Sequence, residues 1–460
     1  MDSNIQQYCE QAAEKAYIKK QADEVSVIVM NPQNGELMAM VNYPEFNLNE
    51  PFTLIEEMGA DGTESADKKQ ELLNRMWRNP CISDTYEPGS TAKPFTVAAA
   101  LETGAISPNA TFECNGSLEV GGHTIRCHNR YDGVLTLQGA VAKSCNVTMM
   151  KIGQAMGKEE FCRYQQIFNF GLRSNVDLAG EARTASLIYQ AEDMGPTDLA
   201  TNTFGQNFNV TMIQMITSFC SLINGGYLYE PHMVSKITNA SGATVQNIEP
   251  RILKQTISET TSEYIRQYCT AVVTEGTGKT ARPAGYMIGG KTGTAETIDQ
   301  NTHQRSDTDH VVSFIGFAPA DDPQIAIYVV VDRPNVGHQG DAKYATRIVR
   351  SILTETLPYL NIFMTEELSD TEKAELEALQ LEITTQYTQK PEKDGLDTED
   401  GNGNNAEGDV PKWMSFPVDP ASGYRVDPET GDEYDAQTGV LIGSGETNLG
   451  NDVPINPNIE

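Results

Sequence analysis

Residues 83–96 read Ser-Asp-Thr-Tyr-Glu-Pro-Gly-Ser-Thr-Ala-Lys-Pro-Phe-Thr, and Ser90 and Lys93 within them decide how the rest of the chain is read. Glu87, Pro88 and Gly89 make a turn, and the apolar, Ala-rich run 95–101 predicts a buried helix directly after it. A serine hydroxyl is a poor nucleophile at neutral pH and needs a base within hydrogen-bond reach. Residues three apart share one face of a helix, so Lys93 is placed to be that base, provided burial or a nearby cation lowers its pKa. Pro94 lacks the N–H that would bond back to the Ser90 carbonyl, which puts Ser90 in the first helical turn. There the hydroxyl is open and the positive end of the helix dipole faces developing negative charge. Ser65 and Lys68 repeat the spacing, but their polar surroundings predict a solvated loop or helix face.

Two later motifs give the pair a context. Ser144, Cys145 and Asn146 predict a short loop between helices, with Ser144 and Asn146 pointing into one cleft. Ser144 is expected to relay a proton to or from the leaving group, and Asn146 to hold the substrate amide or the Lys93 amine. Lys291, Thr292, Gly293 and Thr294 predict an edge strand on which Gly293 leaves room for a substrate backbone. Lys291 and the threonine hydroxyls can bind a carboxylate, and the backbone N–H groups of Ser90 and Thr294 can form an oxyanion hole. Together the three motifs describe acyl transfer.

In this order they resemble the penicillin-binding protein and serine β-lactamase superfamily. The flanking stretches 83–96, 114–122, Gly205-Gln206, Asn224-Gly225-Gly226, 276–296 and 313–332 narrow the resemblance to class B penicillin-binding proteins of septal or sporulation type. It implies a D,D-transpeptidase that crosslinks peptidoglycan stem peptides through a Ser90 acyl-enzyme, is inhibited by β-lactams and serves cell division or sporulation. The implied partners are stem peptides, lipid-linked precursor strands, a glycan polymerase and division-complex proteins, at the extracytoplasmic face of the membrane. Relatives carry an N-terminal transmembrane helix and a pedestal domain. This sequence begins at what resembles the start of the transpeptidase segment.

The element pattern agrees. Residues 25–30 and 37–41 predict a hairpin, 50–80 a polar loop, and 90–226 a helix-rich block broken by a small hairpin at Gly121 and Gly122. Three strands follow (286–297, 311–318, 325–332), then a helix over 342–357. A first amphipathic helix, capped by Asp2 or Ser3, carries Ile5, Cys9, Ala12 and Ala16. This predicts an α+β, serine β-lactamase/penicillin-binding transpeptidase fold: an antiparallel five-stranded sheet flanked by helices, an all-helical subregion and a disordered C-terminal tail. The expected domains are 1–362, an acidic linker 363–412 and a tail 413–460 with an Asp-Pro-x-Ser/Thr-Gly repeat at a spacing of eight, read as solvated turns.

The formal net charge of −31 excludes nucleic acid as a partner. Residues 365–460 hold 23 acidic and 5 basic side chains, so the tail carries much of that charge. The longest apolar run, 325–331, is far short of the roughly 20 residues a membrane span needs.

Three rival readings deserve weighing. Gly285, Gly290, Lys291 and Thr292 match a phosphate loop, but Pro283 disrupts the preceding strand and Thr292-Gly293-Thr294 starts a helix poorly. A non-catalytic β-lactam sensor would share the acylated serine, yet the protease and membrane spans of known sensors are missing from this sequence. A β-lactamase is disfavoured by the long Ser90-to-Lys291 spacing and by the lack of a deacylating Glu motif after Asn146. The histidines lack the second partner of a triad.

Of eight cysteines, Cys9, Cys162, Cys220 and Cys269 fit apolar helix faces. Cys145 lies inside the second motif and Cys127 ends the hairpin leading to it, which predicts that Cys145 pairs with Cys127 or Cys114 on oxidation and switches the site off. A zinc site from Cys114, Cys127 and His123 or His128 lacks the spacing of paired knuckles, so no metal and no cofactor is assigned.

Overall fold

The computed structural model describes residues 1–128, 132–298, 304–378, 417, 425–426, 433–434 and 441–443. The chain divides into two compact units, Met1–Glu366 and Glu367–Glu460.

In the first unit, Asp2 caps α1 (Ser3–Lys20) by accepting from the N–H groups of Asn4 and Ile5. Ile5, Cys9 and Ala13 are fully buried on its inner face, while Ala12 and Ala16 are partly so. The hairpin β1 (Glu24–Met30) and β2 (Leu37–Tyr43) follows. The stretch expected to be a loop contains α2 (Ala66–Met76), whose N-cap is the Ser65 of the decoy motif and whose buried residues are Leu72, Leu73 and Met76. Two short helices lead on, α3 (Pro80–Ser83) and α4 (Lys93–Glu102). A β insert comes next: β3 (Thr111–Cys114), β4 (Ser117–Val120), β5 (His123–Arg126) and β6 (Gly133–Thr136). The β4–β5 hairpin turns at Gly121 and Gly122 as expected, while the β3–β6 pair around it was not foreseen.

The helical subregion consists of α5 (Leu137–Ala142), α6 (Asn146–Met156), α7 (Lys158–Ile167), α8 (Pro196–Asn202) and α9 (Met212–Ile223). Short strands β7 (Tyr227–Tyr229), β8 (Lys236–Thr238), β9 (Thr244–Asn247) and β10 (Ile252–Gln255) separate it from α10 (Glu259–Thr274). The unit closes with β11 (Gly289–Ile298), β12 (Arg305–Ala318), β13 (Ile325–Asp332) and α11 (Lys343–Tyr359).

The main sheet is antiparallel in the order β11-β12-β13-β1-β2, so strands from the two ends of the unit pair, Val25 with Val331 and Met30 with Ala326. In β13 the side chains of Ile325, Ile327, Val329 and Val331 pack with α1 and α11, whereas Ala326, Tyr328 and Val330 face the helical subregion. This double burial explains why the strand reads as one apolar run. Burying each such Val or Ile contributes about 1.5–3 kcal/mol. Among the described residues no helix is long and apolar enough to cross a membrane.

In the second unit, a helix over 370–378 begins with a reciprocal cap. Glu372 N–H donates to Ser369 Oγ, while Ser369 N–H and Oγ donate to the Glu372 carboxylate. Strands β14 (Arg425–Val426), β15 (Glu433–Tyr434) and β16 (Leu441–Gly443) pair in that order. Each starts eight residues after the last, the period of the repeat. The turn residues of that repeat, and the linker from 379 to 412, lie outside the described residues.

Candidate active site

Ser90 sits in a 3-10 turn, Gly89–Ala92, that runs into α4. Lys93 N–H closes the turn on the Ser90 carbonyl, the geometry expected where Pro94 removes the next donor. Gly89 adopts φ +55°, and a Cβ on it would lie 2.6 Å from the Thr294 carbonyl oxygen. Its N–H donates to Gly205 O at 2.9 Å. The Ser90 turn is therefore wedged between β11 and the residues after α8. The Thr294 carbonyl leaves the open edge of the sheet towards Gly89. In an extended strand the N–H and C=O of one residue share a side, so Thr294 N–H is aimed at the same cleft.

Lys93 is fully buried. Its amine donates to Ser144 O (2.5 Å), Ser144 Oγ (2.9 Å) and Asn146 Oδ1 (2.7 Å). An ammonium has three N–H donors, so all three are engaged, and taking the Ser90 proton requires loss of one. Burial supports that loss by pushing Lys93 down to about 8, against a smaller upward pull from Cys127 and Cys145. Ser144 takes φ +57° on its short loop, which turns its carbonyl and hydroxyl together onto this amine.

Lys291 approaches the same hydroxyl from β11, donating to Ser144 Oγ at 3.0 Å and to Thr292 O at 2.9 Å. It too is fully buried, and burial together with the Lys93 charge holds it well below the ordinary lysine value. The Lys291 amine, expected to help bind a carboxylate, thus points inward onto Ser144 Oγ. Thr292 Oγ1 lies 2.7 Å from Thr277 Oγ1, and Thr294 is exposed. β11 is the edge strand that was expected. Gly293 has a further reason to be glycine, because a Cβ there would stand 2.3 Å from Ser313 Oγ and 2.9 Å from Thr91 Cγ2. The strand cannot lie against the Ser90 turn with any side chain at that position.

Placing Gly290, Lys291 and Thr292 inside a strand removes the phosphate-loop reading, which needs a helix to open there. The three singled-out cysteines do meet. Cys127 Sγ lies 3.7 Å from Cys145 Sγ, and Cys114 Sγ is within 4.8 Å of both. Hydrogen bonding to Cys127 and burial push the Cys145 thiol up. His123 and His128 are exposed, and Asp132 joins the cysteines instead.

Sequence reasoning also missed the support beneath Ser90. Glu87 accepts from Arg305 Nη1 (2.8 Å) and Nη2 (2.7 Å) and from Asn207 N–H (3.0 Å). The Tyr86 hydroxyl donates to that of Tyr328 at 2.7 Å. Tyr86 is therefore a packing residue. So is Trp77, which donates to Pro51 O and meets the Phe52 ring edge-on.

The chain is similar to known proteins over most of its first unit. The family described as penicillin binding protein transpeptidase domain matches residues 25–354. Stage V sporulation protein D of Bacillus subtilis is 36% identical over 79% of this chain and 53% of its own length. Penicillin-binding protein PbpB of Mycolicibacterium smegmatis is 30% identical over 74% and 51% respectively. This chain spans about half the length of either relative. Among solved structures, the TP domain of Burkholderia pseudomallei penicillin-binding protein 3 superposes with a TM-score of 0.66 at 27% identity, covering 80% of this chain and 97% of that one. Penicillin-binding protein 3 of Mycobacterium tuberculosis complexed with aztreonam gives 0.68 at 27%, covering 80% of each.

Proposed function

We propose, for a chain that belongs to the penicillin binding protein transpeptidase family, that it crosslinks peptidoglycan stem peptides through an ester on Ser90. The observation that carries this reading is the Lys93 amine, buried, depressed to about 8 and bonded to both Ser144 and Asn146. Neutral Lys93 takes the Ser90 proton as Ser90 Oγ attacks the penultimate D-Ala carbonyl. The C–N bond breaks, and D-Ala leaves with a proton passed from Lys93 through Ser144. An amine of a second stem then attacks the ester, gives its proton back along the same path, and Ser90 regains its hydrogen. Lys291 biases Ser144 within that path, Thr292 and Thr294 hold the terminal carboxylate, and the N–H groups of Ser90 and Thr294 receive the oxyanion.

A β-lactam esterifies Ser90 the same way but keeps its leaving amine tethered. Labelling with a fluorescent penicillin followed by peptide mapping should place the adduct on Ser90. An adduct elsewhere, or none on folded protein, sinks the proposal. Turnover of a D-Ala-D-Ala-like thioester separates an enzyme from a sensor, which acylates once and stops. The work would lie at the extracytoplasmic face of a membrane, in division or sporulation, beside a glycan polymerase.

The cysteines add regulation to the proposal. Cys127 and Cys145 can lose two protons and two electrons to a thiol–disulfide oxidant, drawing their sulfurs together to about 2.0 Å and displacing Asn146. Thiol labelling that finds Cys145 free in oxidised, inactive protein overturns this.

A further inference from the structure

We propose that Cys114, Cys127, Asp132 and Cys145 form a binding site for one soft divalent cation, of which Zn²⁺ is the type, tying the β insert to the start of α6. The ligand atoms come from four separate places: the end of β3, the residue after β5, the residue before β6 and the N-cap of α6. All four lie within 4.8 Å of one another. A tetrahedral zinc with Zn–S bonds of about 2.3 Å sets its sulfurs about 3.8 Å apart, and Cys127 and Cys145 stand at 3.7 Å. All four groups are therefore within reach of one cation, whereas a disulfide would use neither Cys114 nor Asp132.

Hydrogen-bond donors face two of the sulfurs. Asn146 N–H points at Cys127 Sγ (3.3 Å), and Thr148 N–H and Oγ1 point at Cys145 Sγ (3.4 and 3.3 Å). These donors at the start of an 11-residue helix favour negative sulfur. The backbone fixes the ligands as well. Asp132 N–H donates to Cys114 O and Cys127 N–H to Gly116 O. Three thiolates and a carboxylate outweigh a dication, and Lys143, 3.8 Å from Asp132, offsets part of the excess. Cys127 is partly exposed and offers a way in, whereas Cys114 and Cys145 are buried.

A cation would also staple the insert. Among its described residues, the buried apolar side chains are Cys114, Val120 and Leu135, with Phe112, Leu118 and Ile125 partly buried against the core, a small apolar base for four short strands. A cation here would fix Asn146, whose N–H bonds Cys127 and whose side chain accepts from Lys93. On binding, the thiols release their protons to solvent as the metal–sulfur bonds form. Nothing in this depends on the acyl-transfer reading.

The test uses the full chain, reduced and stripped with a chelator under anaerobic conditions, then titrated with Co²⁺ and back-titrated with Zn²⁺. The expected result is one cobalt per chain with a thiolate-to-cobalt charge-transfer band and tetrahedral visible bands, displaced one for one by zinc. Cys114→Ser and Asp132→Asn should each weaken cobalt binding at least about tenfold, while leaving Cys127–Cys145 disulfide formation under mild oxidation unchanged. If Cys114→Ser does not fold, Asp132→Asn decides alone, with circular dichroism confirming its fold. Absence of the charge-transfer band in the parent protein, or binding unaltered by Asp132→Asn, overturns the proposal. Penicillin labelling of the same samples reports separately on Ser90.

Discussion

Arg305 grips both oxygens of the Glu87 carboxylate, at 2.8 and 2.7 Å, across 218 residues of chain. Glu87 lies three residues before Ser90 and is almost fully buried, and Arg305 opens β12. The fork therefore pins the approach to Ser90 onto the start of β12. Lysine cannot reproduce two parallel N–H bonds. Arg305→Lys should cost about 1.5–3 kcal/mol in urea unfolding, the range for hydrogen bonds to charged groups, and should slow Ser90 acylation by penicillin without changing the adduct's position. An unchanged acylation rate would mean the pair is structural only.

The acylation rate should rise with pH. Only the neutral form of Lys93 can accept the serine proton, and burial lowers its pKa to about 8. The neutral fraction, and with it the rate, therefore climbs as pH passes upward through that value. Stopped-flow acylation over about pH 6 to 9.5, the range that brackets such a base, should show one rising limb. Lys93→Met should abolish it, with loss on the order of 10²-fold or more. A profile flat across this range would remove Lys93 as the base.

The sheet and the helix that follows Ser90 were legible because their physics is local. β13 is apolar throughout because both its faces are covered, and Ser90 and Lys93 stand one turn apart ahead of an Ala-rich run. What was not legible depends on distant pairing or on polar elements. α2 hides in a charged stretch, although Ser65 as its cap and Leu72, Leu73 and Met76 at helical spacing were available signals. β12 starts at Arg305 rather than 311 because its first residues are polar, with no apolar alternation to read. Glu87 and Arg305 share no pattern, and the inward direction of Lys291 is set by where Ser144 happens to lie. Cys114, Cys127 and a neighbouring histidine lacked the spacing of a zinc knuckle in the sequence, and it is the β3–β6 pairing that brings Asp132 to the cysteines.

Gly205→Ala should be severe. Gly205 has φ +90°, and a Cβ on it would fall 1.8 Å from Gly89 O, with backbone on both sides and no flexible side chain to yield. Either the Ser90 turn moves or the protein unfolds. The left-handed conformation alone costs about 1–2 kcal/mol for alanine, and the clash adds to it. A thermal melt should fall by several degrees, and any folded fraction should acylate poorly. Gly104→Ala, also at positive φ but with nothing within 4 Å, is the control and should show only the conformational cost.

Where the first unit can be cut is set by its last hydrogen bonds. Thr365 and Glu366 N–H both donate to Gly285 O, at 2.9 and 3.1 Å, and Met287 N–H donates to Thr365 Oγ1 at 2.7 Å. Glu366 also pairs with Arg282. These contacts clamp residues 285–287, which lead straight into β11 and Lys291. A chain ending at Glu366 should fold and take up penicillin like the full chain. One ending at Met364 loses three backbone-donor bonds, each worth about 0.5–1.5 kcal/mol, and should melt lower and acylate more slowly. Equal melting temperatures for the two truncations would show that the 365–366 segment does not brace the edge strand.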